Sequence, residues 1–207
     1  PALGEEHVEE IKKKNRAAID SEGWLHSGDK GAMDERGMVK ITGRYKELII
    51  GAGGENIAPV PIEDAIKLAC PAISNIIMIG DKKKFNIALV TLKAKGATGV
   101  LPGGEDLDGE AASLVDGVST IPEAKKSKAF TDIILKAITD TNENGAVVTK
   151  RAAKIQKFAI LDRDISVETD ELTPTYKLKR SFTHKKYTEI IDKVYESSEA
   201  YVLVWDG

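Results

Sequence analysis

Cysteine is nearly absent: one, Cys70, in 207 residues. This excludes an intrachain disulfide and a cysteine-based zinc cage. No apolar run approaches the ~18–20 residues that a bilayer-crossing helix needs. The opening Pro1-Ala2-Leu3-Gly4-Glu5-Glu6 lacks the basic and apolar regions of a signal peptide. An excess of positive charge is also missing. Lys and Arg number 30 against 33 Asp and Glu, a net charge of −3, which is a poor balance for gripping a nucleic-acid backbone. There is no Gly-x-Ser-x-Gly elbow, and no glycine cluster continues into a Gly-Lys-Ser/Thr phosphate loop or a dinucleotide fingerprint. What is present is 42% apolar residues, enough for a core and too many for a wholly disordered chain. The expectation is a soluble, cytoplasmic protein of one large or two small domains. With Pro1 in place of Met, the chain reads as a piece of a longer one.

Apolar spacing supplies the elements. Residues 5–19 read as a charged helix, acidic before basic as the helix dipole favours, with Val8, Ile11 and Ala18 inward. Residues 38–42 and 47–50 read as strands, followed by a glycine-rich loop. Pro61 opens a helix to Ala69, with Glu63 and Asp64 near its positive end and Ile62, Ile66 and Ala69 inward. Strands follow over 75–80 and 85–92. Residues 94–126, which start Gly- and acid-rich, are expected as a mobile insertion. A helix over 127–141 places Phe130, Ile133, Ile134, Ala137 and Ile138 at helical spacing, 155–161 is a strand, and 183–196 is one helix with an unbroken apolar stripe. Short strands alternating with helices after residue 45 imply an α+β domain, a small sheet with flanking helices. The first 45 residues are too few for a core of their own.

Four clusters could carry chemistry. In His26-Ser27-Gly28-Asp29 the carboxylate could accept from vicinal hydroxyls, or cap a turn; a hydrolase triad is rejected because residues this close rarely converge on one point. In Gly43-Arg44-Tyr45-Lys46-Glu47 the guanidinium fork suits phosphate or ribose oxygens, or is merely a charged bend. In Gly51-Ala52-Gly53-Gly54-Glu55-Asn56 the glycines admit close backbone approach or positive φ. The run Leu172-Thr173-Pro174-Thr175-Tyr176-Lys177-Leu178-Lys179-Arg180 is either a presented lysine or a solvated basic face.

In this order, with Trp-Leu-His-Ser-Gly-Asp, Ile-Thr-Gly-Arg-Tyr-Lys-Glu-Leu-Ile-Ile, Ala-Gly-Gly-Glu-Asn-Ile and Pro-Thr-Tyr-Lys-Leu-Lys-Arg as they stand, the chain resembles the C-terminal part of acyl-adenylate-forming enzymes. In finer detail it is similar to long-chain fatty acyl-CoA synthetases of the bubblegum type, from about residue 5 to 195.

The resemblance implies a small C-terminal lid over 46–207, preceded in 1–45 by the tail of a larger N-terminal domain that carries the phosphate loop and acyl pocket. It implies ATP, Mg²⁺ and CoA as cofactors, with the metal bound mainly by the larger domain. By resemblance, Asp29 binds ribose hydroxyls of ATP, Arg44 contacts ribose or phosphate, and Lys46 is the hinge. Gly51, Ala52, Gly53, Gly54 and Glu55 line the CoA path, and Lys177 is catalytic in acyl-AMP formation. Fatty acid, ATP and CoA would be the partners, with peripheral attachment to the endoplasmic reticulum or another intracellular membrane. The piece alone is expected to be inactive. Three departures stand out: Ser27 where Thr is usual, Gly51 for a customary Thr, and Tyr176 where the wider superfamily has Gly, although bubblegum-type enzymes are also bulky there. The alternatives are a ligase for another carboxylic acid and a catalytically dead scaffold of the same fold.

Overall fold

The computed structural model describes residues 5–205. It divides into two units, Pro1–Leu48 and Ile49–Gly207, where the sequence places the division after residue 45. The first unit contains α1 (Glu5–Ala18) and an antiparallel hairpin of β1 (Asp29–Met33) and β2 (Val39–Arg44). Asp34 closes the hairpin turn, its Oδ1 accepting the N–H groups of Arg36 and Met38, both at 2.9 Å. Among the described residues none before Ile49 is buried. Val8 and Ile11, expected inward, are exposed, because this short segment has too few apolar side chains to cover them.

The second unit starts with a two-stranded antiparallel pair, β3 (Ile49–Ile50) and β4 (Asn56–Ile57). Then come α2 (Pro59–Ala69), β5 (Ile73–Ile79), β6 (Asn86–Leu92), α3 (Gly109–Ala112), α4 (Ile121–Lys126) and α5 (Lys128–Glu143). The chain continues through β7 (Ile155–Ile160), α6 (Arg180–Lys186) and α7 (Thr188–Glu196). The sheet order is β5-β6-β7, antiparallel then parallel, so the module is α+β with a mixed sheet, as the alternation of elements implies.

Side chains alternate across a strand, and this sorts the core into two clusters on opposite faces of the sheet. One holds Ile76 and Met78 of β5, Ala88 and Val90 of β6 and Phe158 of β7 against α2 and α5, with Ile49 and Ile57 of the β3–β4 pair. The other holds Ile77, Ile79, Ile87, Leu89 and Ala159 against Tyr187, Ile190, Ile191 and Val194, with Leu172.

Several expectations shift. Helix α2 begins at Pro59, so Glu63 lies in its second turn and is buried, not at the dipole end; Ala69 is exposed while Cys70 is buried. In α5, Ile133 is exposed beside buried Phe130, Ile134, Ala137 and Ile138. The single helix expected over 183–196 is two, α6 and α7, meeting at Tyr187, whose hydroxyl donates to Glu171 Oε1 at 2.9 Å. Residues 94–126, expected as a mobile insertion, are built into the core: Ala94, Leu107, Ala111, Ile121 and Ala124 are buried there. A capping box of Thr120 and Glu123 starts α4.

Candidate functional site

In the first unit the antiparallel register sets Asp29, at the start of β1, opposite Arg44, at the end of β2. Arg44 Nε lies 3.0 Å from Asp29 Oδ1. The turn into β1 passes through Gly28 at φ +79, whose carbonyl accepts the Tyr45 N–H at 2.9 Å, and Ser27 Oγ accepts the Asp29 N–H at 3.2 Å. A carboxylate has about four acceptor positions and a guanidinium five donors, so the pair keeps capacity for a hydroxyl-bearing, anionic ligand. His26 pairs instead with Asp20, Nε2 to Oδ2 at 2.9 Å. The Trp24 backbone N–H and then the His26 ring hold the Asp20 carboxyl below its ordinary range, and no His-Ser-Asp triad forms.

In the second unit the glycine loop connects β3 to β4. Gly54, at φ +83, donates to the Gly51 carbonyl at 2.9 Å, and the Gly51 N–H donates to the Glu55 carbonyl at 3.1 Å. A Cβ at Gly53 would stand 2.6 Å from Glu55 Oε1, so the Glu55 carboxylate is folded over the loop. The Ala52 N–H donates to the Lys83 carbonyl at 3.0 Å, tying the loop to the turn between β5 and β6.

The basic run at 172–180 is a tight hairpin, not a solvated face. Leu172 bridges Leu178; the Thr173 carbonyl accepts the Tyr176 N–H at 2.8 Å and the Thr173 N–H donates to the Lys177 carbonyl at 2.8 Å. Tyr176, at φ +59, holds the left-handed position of the turn, the conformation that glycine adopts most easily. Thr173 Oγ1 accepts the Lys177 N–H at 3.0 Å.

The three cations of this run have different fates. Arg180 makes a two-pronged pair with Glu63, at 2.9 and 2.6 Å, while Glu63 Oε1 also accepts the Met78 N–H of edge strand β5 at 2.7 Å. Lys179 pairs with Asp170. The Lys177 side chain is exposed and has no ion pair or hydrogen bond among the described residues.

Side-chain pairings that motif reading missed stiffen the ground behind the hairpin. Burial pushes the Glu171 carboxyl up, but hydrogen bonds from Lys186, Thr169 and Tyr187 outweigh it and its pKa is lowered. Asp164 accepts from Ser74 and Thr91, both at 2.5 Å, and from Asn75 at 2.8 Å. An open cleft of about 510 Å³ beside the hairpin is lined by Ser74, Asn75, Lys93, Thr98, Gly99 and Tyr176, among others. The tail also has a place. Phe158 and Tyr201 form a parallel bridge, and wholly buried Lys125 is held between Asp162 and the Trp205 ring, 4.2 Å from its centroid.

Asp29 and Arg44 belong to one unit, and the glycine loop and Lys177 to the other. Within the second, the pair of strands bearing the glycine loop is rooted in one face of the sheet by Ile49 and Ile57, and the lysine hairpin in the other by Leu172 and Leu178. The backbone of Lys46 lies in a single helical turn, Tyr45–Glu47, two residues before the division between the units; its side chain is outside the described residues. Among the described residues no three His, Cys, Asp or Glu are grouped to hold a metal ion, so no residue here is assigned to Mg²⁺.

Residues 46–106 match the family described as the AMP-binding enzyme C-terminal domain. The chain is 46% identical over 192 residues to the long-chain-fatty-acid–CoA ligase ACSBG2 of Gallus gallus, covering 89% of this chain and 25% of that protein. It is 44% identical over 195 residues to ACSBG1 of Homo sapiens, covering 91% and 26%. It thus spans about a quarter of the length of these relatives. The fold is shared with the adenylation domain of a carboxylate reductase from Mycobacterium chelonae, at a TM-score of 0.68 and 18% identity, covering 90% of this chain and 25% of that one. The corresponding domain from Segniliparus rugosus gives 0.64 at 16% identity, covering 88% and 25%. Residues 46–106 thus match an AMP-binding enzyme C-terminal domain, and about nine-tenths of the chain is similar to long-chain-fatty-acid–CoA ligases of the bubblegum type.

Proposed function

We propose that this chain is the hinge and lid of a ligase that joins a long-chain fatty acid to CoA at the expense of ATP. In the first half-reaction a carboxylate oxygen attacks the α-phosphorus of MgATP; the bond to the β-phosphate oxygen breaks, and acyl-AMP and diphosphate result. In the second, the CoA sulfur attacks the acyl carbon and AMP leaves. The first step brings two anions together, and the ammonium of Lys177 reduces their repulsion. A unit charge at 4 Å is worth about 4 kcal/mol at an effective dielectric near 20. Asp29 accepts the ribose hydroxyls and Arg44 donates to ribose or phosphate. Gly51 to Gly54, with Glu55, line the path of the CoA arm, where the lack of side chains at the glycines admits a narrow ligand close to the backbone.

The observation that carries this reading is the placement of Lys177. It is the one unpaired cation of its run, at the tip of a stiff hairpin. The hairpin is rooted on the sheet face opposite the one that roots the glycine loop. A module built this way can present lysine for one half-reaction and the glycine loop for the other by turning at Lys46, a rotation of the hinge kind.

Palmitate-dependent exchange of diphosphate into ATP, in the ligase carrying this chain, is the test. Exchange is the expected result. Exchange with another acid alone would place the enzyme among ligases of different specificity, and none with any acid would leave a scaffold. The substrate's lipid nature supports a cytoplasmic location with peripheral attachment to an intracellular membrane; among the described residues no helix is long and apolar enough to cross one.

A further inference from the structure

The turn presenting Lys177 adopts a backbone that favours glycine, yet Tyr176 occupies its left-handed position at φ +59. A β-carbon costs conformational freedom there, so the ring calls for a compensating role, and its surroundings supply one. The Cδ1–Cε1 edge of the ring meets Gly99: a Cβ built on that glycine would stand 3.0 Å from both atoms. Gly99 itself has φ +78, so this seat is left bare on both conformational and steric grounds. The loop that offers it is anchored. The Gly99 carbonyl accepts the Val167 N–H at 2.9 Å and the Val100 carbonyl accepts the Glu168 N–H at 3.0 Å, and neighbouring Ala97 packs on the core.

Building on the proposal for Lys177, we infer that Tyr176 is a positioning residue. Its ring, seated on Gly99, clamps the hairpin so that the exposed ammonium one residue later is held in a fixed direction during acyl-AMP formation. The segment 94–126 then acts as a brace. The hydroxyl has no part in it, since no hydrogen bond of the Tyr176 side chain is found among the described residues.

The test is made in the ligase carrying this chain, with acyl-AMP formation and thioester formation from supplied acyl-AMP measured separately. Tyr176→Phe keeps the ring and is expected to leave both half-reactions at their original rates. Tyr176→Gly and Tyr176→Asn both suit the left-handed turn but lack the ring. Each is expected to lower kcat for acyl-AMP formation about 10-fold, since small misplacements of a reacting group are costly, with KM for ATP and the thioester step unchanged. Gly99→Ala, which pushes on the ring from the other side, is expected to show the same selective loss. Rates unchanged in the Gly and Asn variants while Lys177→Ala abolishes acyl-AMP formation would overturn the clamp and leave the lysine's role standing. Equal loss in both half-reactions, or a Phe variant as impaired as Gly, would overturn it too. Full acyl-AMP formation in Lys177→Ala would remove the reading on which the clamp is built.

Discussion

Three cations within four positions show how burial and partners divide roles among similar side chains. The Arg180–Glu63 pair is shielded, with 20% and 8% of the side chains exposed, and removing one partner leaves the other charge uncompensated. Arg180→Ala is expected to cost about 3 kcal/mol in a denaturant titration. Lys179→Ala, losing a pair with Asp170 that is largely open to water, is expected to cost under about 1 kcal/mol. Lys177→Ala should leave the unfolding midpoint where it is. A second prediction concerns Glu171, whose net pKa is lowered in the fold. Its contribution to stability is complete above the ordinary carboxylate range and is lost as pH falls through the lowered pKa. In Glu171→Gln, the drop in unfolding midpoint on acidification is expected to be shallower than in the parent. Lys177 was legible because its motif is contiguous. Glu63 was not, because its partner lies 117 positions away and no spacing rule reaches across that distance.

Among elements, the strands were legible because Ile and Val alternate or run continuously over 73–79 and 86–92. The break at Tyr187 was hidden because the apolar stripe runs through it and the bond from its hydroxyl to Glu171 is a tertiary contact. Segment 94–126 misled for the opposite reason: its Gly and acidic start looks like a loop, while its core contacts come from scattered single residues such as Leu107 and Ile121, both at most 1% exposed. If it is part of the core, Ile121→Ala should cost about 2–5 kcal/mol, and amides of 107–124 should resist hydrogen exchange comparably to β6. Rapid exchange throughout would instead indicate a segment that opens independently of the sheet. The buried Cys70 thiol, its pKa raised by burial, should react slowly with thiol reagents until the module unfolds.

For the whole molecule, the division after Leu48 lies beside the helical turn containing Lys46. Proline at Lys46 restricts φ at the proposed hinge, and Lys46→Pro is expected to slow thioester formation more than acyl-AMP formation in the proposed ligase. A balanced effect would place the pivot elsewhere. The order of motifs along the chain pointed to the similarity with these ligases; the rooting of the glycine loop and the lysine hairpin on opposite faces of one sheet became visible only once the strands were paired. The most direct measurement compares the two half-reactions of Lys177→Ala in that ligase. The expected result is a loss of acyl-AMP formation by about 10²–10³-fold, the usual effect of deleting a preorganised electrostatic partner, with thioester formation from supplied acyl-AMP nearly intact. An equal loss in both, or no loss in the first, would contradict it.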